Sequence, residues 1–219
     1  MQLPFSTEDF LDIFKEYNLA FFPLQIIFYA AGFICVYFLF KDNINVSRTI
    51  NTVLAFFWLW MGLAYHIIFF SSINKVAYAF GILFIVQGIL FIYYGSVKKR
   101  ISFRYQKSIF NFIGIIIIAY SLIFYPIIGH ICGHQFPYSP TFGLPCPTTI
   151  YTFGMLLFVN KKIPLPVIII PFLWSIIGFS AAFSLSIYED IGLLVSGILG
   201  LVLIILLNNK LVTFIKTLN

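Results

Sequence analysis

Charge is what this sequence has least of. Its 13 Lys and Arg and 7 Asp and Glu make up 9% of 219 residues. A soluble domain is about a quarter charged, so this chain has too little ionic surface to cover a water-facing fold. Cysteine is scarce as well, and three residues exclude a disulfide-stapled miniprotein. The 14 glycines and 10 prolines are too few for a collagen-like or low-complexity chain. What is present is apolar: 61% hydrophobic residues and a mean hydropathy of +1.02. The remaining class is an integral membrane protein with no separate soluble domain.

The apolar residues fall into seven runs, 18–40, 50–70, 76–97, 108–129, 147–159, 163–184 and 191–207. Crossing a hydrocarbon core takes about 20 helical residues, whereas a barrel strand takes about 10 and alternates in polarity. These runs are long and do not alternate, which predicts an all-α, polytopic transmembrane helix bundle. The fifth run is only 13 residues. At about 1.5 Å per residue it falls short of a full crossing.

Positive residues in short loops stay on the cytoplasmic side. One set of loops holds Lys41, Arg48, Lys98, Lys99, Arg100, Arg104, Lys107, Lys161, Lys162, Lys210 and Lys216, and the other only Lys15 and Lys75. This bias predicts an odd number of spans, with the N-terminus outside and the C-terminus inside. The formal charge of +6 is then membrane topology and carries no implication of nucleic acid. The domain plan is an interfacial segment (1–17), one seven-helix domain (18–207) and a cytoplasmic tail (208–219). Glu8, Asp9, Asp12 and Glu16 replace the basic start of a cleaved signal peptide. Ser6 and Asp9 have capping-box spacing, with Phe5 placed as a staple. Phe10, Leu11, Ile13, Phe14 and Tyr17 recur at helical spacing and predict an amphipathic helix at the outer surface.

Runs one to three and five to seven share a plan, and aligning Trp60 on Trp174 also pairs Phe69 with Phe183 and Ser72 with Ser186. A 3+1+3 parallel repeat is one reading of this. Composition alone is the other.

Residues 129–149 are the long outer segment, and Pro137, Pro140, Pro145 and Pro147 forbid a continuous helix through it. A short, Pro-interrupted span fed by irregular chain either lines a watered cavity, as at a transporter site, or is simply covered by neighbouring protein. All three histidines map near it: His66 toward the outer end of span two, and His130 and His134 four apart after span four. With Cys146 they form a candidate ligand set for zinc or another transition metal. Packing and interfacial roles are the alternative. Cys132 and Cys146 also read as a disulfide pair in an oxidising outer compartment. Tyr65, Thr148 and Glu189 complete the candidate substrate-binding set, and Asp190 beside Glu189 is a further carboxylate.

The strings Phe-Phe-Trp-Leu-Trp (56–60), Tyr-His-Ile-Ile-Phe-Phe-Ser-Ser-Ile-Asn-Lys (65–75), Phe-Gly-Leu-Pro-Cys-Pro-Thr-Thr (142–149), Phe-Leu-Trp-Ser-Ile-Ile-Gly-Phe-Ser-Ala-Ala (172–182) and Tyr-Glu-Asp-Ile-Gly-Leu (188–193) resemble a family of small bacterial multi-pass membrane proteins of unknown function. The resemblance implies a bacterial cytoplasmic-membrane location and carries no activity. Three functions stay open. The first is a transporter or channel for a small solute or metal ion, with an outward cavity at the ends of spans two, four, five and seven. The second is a metal-dependent membrane enzyme using His66, His130 and His134, with Glu189 or Asp190 as base. The third is a non-catalytic scaffold or partner subunit. Beyond the lipid bilayer, the low-charge surface also admits a homo-oligomer.

Overall fold

The computed structural model describes residues 4–41 and 44–218. Residues 1–3 of the expected N-terminal segment, Asn219 of the expected tail, and the Lys216 side chain lie outside what is described. Among the described residues the regular elements are helices, joined by irregular loops: α1 (Thr7–Phe21), α2 (Leu24–Leu39), α3 (Ile44–Trp60), α4 (Ala77–Leu90), α5 (Ile109–Ala119), α6 (Tyr125–Ile131), α7 (Pro145–Leu156), α8 (Pro166–Ser184) and α9 (Ile191–Leu218). Three π-helical segments, Met61–Phe69, Phe91–Val97 and Tyr120–Phe124, continue α3 and α4 and join α5 to α6.

The lengths explain where the observed architecture departs from seven full spans. Among the described residues, five continuous helices are long and apolar enough to cross a bilayer: Asn45–Ser72, Ala77–Val97, Ile109–Ile131, Pro166–Ser184 and Tyr188–Lys210. A sixth appears only if α1 and α2 are taken together as one crossing bent by 86°. The expected first span, 18–40, is thus broken. Pro23 has no N–H to donate and disfavours helix at the residue before it. The expected N-terminal helix instead runs on to Phe21. At its start the predicted capping box forms: Ser6 Oγ accepts from Asp9 N at 3.1 Å, and Ser6 N donates back to Asp9 Oδ2 at 2.9 Å. Ser6 Oγ, which also donates to Asp9 Oδ2 at 2.7 Å, and then Ser6 N hold the Asp9 carboxyl below its ordinary value. Phe5 stacks on Phe10 at 5.7 Å, which completes the staple.

The expected fifth span is α7. Its 12 residues reach about 18 Å, and it is enclosed by the bundle, with nearly every residue buried. Most of its polar side chains find partners inside the protein, while Thr149 Oγ1 is buried with none among the described residues. Thr152 Oγ1 donates to Thr148 O and accepts from Trp58 Nε1, Tyr151 Oη donates to Gly32 O, and Ser121 Oγ of the preceding helix donates to Pro147 O. A helix that meets only protein need not match the bilayer thickness. Large side chains such as Ile26, Ile68, Ile82, Ile109, Phe112 and Leu165 are exposed on the outside of the bundle, as lipid-facing surface requires.

Two crossings depend on paired glycines. A Cβ at Gly62 would stand 2.8 Å from Gly81 O, and one at Gly81 would stand 2.9 Å from Gly62 O. Gly114 and Gly154 pair α5 with α7 in the same way, at 2.9 and 3.0 Å. Small residues at such crossings let the backbones meet, because van der Waals packing drives association in lipid. Gly154→Val is therefore expected to destabilise the protein by about 1–3 kcal/mol, read as a lower midpoint of thermal unfolding in detergent. An unchanged midpoint would contradict the close α5–α7 crossing.

Candidate functional site

The two ends of the bundle differ in chemistry. One gathers the starts of α1, α4, α7 and α9 with the ends of α3, α6 and α8, and it holds the described carboxylates. We call it the acidic end. The other gathers the loops after α2 and α4 and before α8, where Tyr105 N donates to Leu39 O and Asn160 N to Ser102 O. That is the basic end.

At the acidic end the long Pro-rich segment is held down by one buried amide. Asn18 Nδ2 donates to Pro137 O at 2.7 Å and Ser139 O at 2.8 Å, and its Oδ1 accepts from Thr141 Oγ1 at 2.8 Å. Gln25 Nε2 donates to Asn18 O at 3.0 Å. Nearby, α8 closes with Ser186 in the left-handed region at φ 60°, and Ile187 N bonds back to Ala182 O at 2.9 Å. A single turn, Tyr188–Asp190, then starts α9. This tight hairpin turns two consecutive carboxyls inward, leaving Glu189 fully buried and Asp190 nearly so.

Each carboxyl has its own partner. Tyr125 Oη donates to Asp190 Oδ1 at 2.6 Å, and the Cys146 thiol lies in hydrogen-bonding range of the same carboxyl. His134 Nδ1 lies 2.8 Å from Glu189 Oε1, while Glu189 Oε2 is buried without a partner. Tyr120 Oη bonds to the Glu189 carbonyl at 2.7 Å. The π-helical segments Met61–Phe69 and Tyr120–Phe124 carry Tyr65, His66 and Tyr120 into this region, and such segments concentrate at functional sites.

Beside Asp190 lies a cavity of about 310 Å³. Its walls are mainly apolar and carry seven aromatic side chains (Phe5, Phe10, Phe14, Tyr65, Phe70, Phe80 and Trp174), and Asp190 is the one charged residue among those lining it. Cys146 reaches it from the first turn of α7, and Asn74 also borders it. Trp174 is 8% exposed, and among the described residues its indole Nε1 has only the Cys146 sulfur within reach. The amphipathic helix α1 contributes Phe10 and Phe14. It is tied to α3 by Trp60 Nε1, which donates to Tyr17 Oη at 2.7 Å.

Several expected site residues stand elsewhere. His66 is fully buried behind the cavity wall, with its ring 4.5 Å from Phe84, 5.0 Å from Trp174 and 5.1 Å from Tyr65, and neither nitrogen has a partner. His130 is exposed at the end of α6, and His134 is committed to Glu189. Among the described residues no three His, Cys, Asp or Glu side chains converge on a metal position. The expected set of His66, His130, His134 and Cys146 is therefore not assembled, because the aromatic shell walls His66 off from the two loop histidines. Cys132 and Cys146 are free rather than paired: Cys132 caps α6 in the open, and Cys146 faces Asp190 within the bundle. Thr148 accepts from Gly143 N at 3.0 Å and so shapes the loop entering α7.

The cavity also differs from the expected one. Tyr65, from the π-helical segment after α3, and Cys146, from α7, line it as expected, and the turn before α9 does so through Asp190 rather than Glu189. Span four stands behind Asp190, through Tyr125, and α1, α4 and α8 supply the other walls. The aromatic spacing of α1 was the available signal for Phe10 and Phe14. For Trp174 and Asn18 the sequence offers only an aromatic or polar residue in an apolar run.

Residues 7–214 match the model of a family of unknown function (DUF6064), and the protein belongs to that family. No curated protein and no solved structure matches the chain.

Proposed function

We propose that the protein is a membrane carrier for a small organic cation, an ammonium group on an apolar body, taken into the cavity at the acidic end. The observation that carries this reading is one buried carboxyl, Asp190, at the edge of a cavity lined by seven aromatic side chains. Aromatic faces and a carboxylate both attract ammonium groups, and desolvation strengthens each attraction. A carboxylate solute would meet Asp190 and Glu189 as like charges. A metal ion would lack a ligand set, so an organic solute fits better than the metal ion admitted by the sequence.

The basic loops favour an N-terminus outside, which opens the cavity to the outer face. Behind the cavity wall stands His66, on the π-helical segment that continues α3, with neither nitrogen bonded among the described residues and its ring beside Tyr65 and Trp174. Polar side chains at such depth mark solute paths in transporters.

The test compares hexyltrimethylammonium, hexanol and hexanoate, at equal concentration, with the protein in lipid nanodiscs. Binding to the folded state alone at a hundred times Kd adds about 2.7 kcal/mol of stability. The ammonium compound should raise the unfolding midpoint by several degrees, with hexanol weaker and hexanoate without effect. Equal shifts for all three, or none, would overturn the reading. Uptake of the ammonium compound into proteoliposomes above that into empty liposomes separates a carrier from a receptor.

A further inference from the structure

A second cavity, of about 230 Å³, opens at the basic end between the start of α3, the π-helical end of α4 with the loop after it, and the loop between α7 and α8. It is lined by Arg48, Lys99 and Lys161 together with the hydroxyls of Ser47, Ser96 and Ser102. We propose that it is a binding site for a phosphate group, carried on an anionic lipid or free in solution.

Charge is the first argument. Lys161 Nζ donates to Lys99 O at 3.1 Å, which brings two lysines from loops 62 residues apart to one mouth. Arg48 on α3 is the third cation. No described carboxylate pairs with any of the three, since the described ion pairs are Lys15 with Asp12 and His134 with Glu189. Three like charges around one cavity repel one another, and an anion between them removes the repulsion.

The loop is also built for the purpose. Asn51, fully buried, donates from Nδ2 to Ser47 O at 2.7 Å and to Ile101 O at 3.0 Å, pinning the loop to α3. Ser47 Oγ accepts from Phe103 N at 2.9 Å. Lys99 is held in the left-handed region at φ 51°, a conformation that costs a non-glycine residue about 1 kcal/mol or more. Ser96 Oγ is buried with no partner among the described residues, leaving a hydroxyl donor for a phosphate oxygen. Val97 and Tyr93, both exposed, run from the cavity along the outside of α4, where acyl chains of a bound lipid would lie. Basic pockets between membrane helices are established sites for phosphate headgroups.

The experiment reconstitutes the full chain in phosphatidylcholine nanodiscs and runs two arms. In one, inorganic phosphate is titrated. In the other, phosphatidylglycerol replaces part of the lipid. Native mass spectrometry counts retained lipid, and the unfolding midpoint reports phosphate. Three variants are compared: Arg48→Gln/Lys161→Gln, Ser96→Ala, and Lys162→Gln, an exposed neighbour that does not line the cavity. The double variant should weaken binding at least about tenfold, and Ser96→Ala should weaken it by a smaller factor. Lys162→Gln should leave it within about twofold, although it also removes one charge. Binding in both arms assigns the site to phosphate in general, and binding only with phosphatidylglycerol assigns it to the lipid headgroup. No binding in either arm, equal loss with Lys162→Gln, or no loss in the double variant would overturn the proposal. Because the two cavities lie at opposite ends of the bundle, this result is independent of the cation reading.

Discussion

Asp190→Asn is expected to lower affinity for hexyltrimethylammonium by about 10- to 100-fold while leaving hexanol binding nearly unchanged. The asparagine keeps the volume of the side chain and an oxygen that can accept from Tyr125 Oη, now 2.6 Å from the carboxyl. What it removes is the charge. An interaction with a charged group in a buried site contributes about 1.5–3 kcal/mol, and each 1.4 kcal/mol is about tenfold in affinity. Ala181→Phe acts differently. Ala181 lines the cavity from α8, so a phenyl ring there fills the space and should abolish binding of ammonium and alcohol alike. Both are measured by thermal shift and by direct titration in nanodiscs. If Asp190→Asn and Ala181→Phe behave identically, volume rather than charge governs the site.

His134→Ala should be the most destabilising loop substitution, at about 3–5 kcal/mol, because it strands a buried carboxylate. Glu189 is fully buried, one of its oxygens faces His134 at 2.8 Å, and the other has no partner. Removing the imidazole leaves the carboxyl with no side-chain partner for either oxygen. The same logic predicts rescue. The double variant His134→Ala/Glu189→Gln should regain a large part of the lost stability, since a neutral amide is cheaper to bury than an ion. Unfolding midpoints of the single and double variants decide this. A double variant no more stable than His134→Ala would show that the histidine acts by packing alone.

Much of the architecture is legible in the residues, and the departures have physical causes. Long apolar runs and the absence of alternation point to membrane helices, and the capping box at Ser6 and Asp9 forms as spacing requires. The 18–40 run looks continuous because hydropathy is blind to direction, yet Pro23 turns the chain there by 86°. α7 reads as a span too short for the bilayer because its surroundings are protein, and only the tertiary structure reveals that shell. The site was legible in part. Tyr65, Cys146 and the Glu189–Asp190 pair do gather at one end of the bundle. The histidines do not converge, since position along a helix fixes depth but not azimuth. His66 points into a ring of Phe84, Trp174 and Tyr65 instead. Asn18 escaped notice for the same reason: its partners at 137–141 are more than a hundred residues away in sequence.

The central claim is that the cavity beside Asp190 prefers cations, and its own cysteine can report on it. Cys146 lines the cavity, whereas Cys132 is exposed outside it and Cys35 is buried. The measurement is the rate of modification at each cysteine by two methanethiosulfonates of similar size, one carrying trimethylammonium and the other sulfonate, read by peptide mass spectrometry. The account predicts that the cation-to-anion rate ratio at Cys146 exceeds the ratio at Cys132 by about tenfold or more, and that Asp190→Asn abolishes the excess. Equal ratios at the two cysteines, or an excess that survives Asp190→Asn, would contradict it.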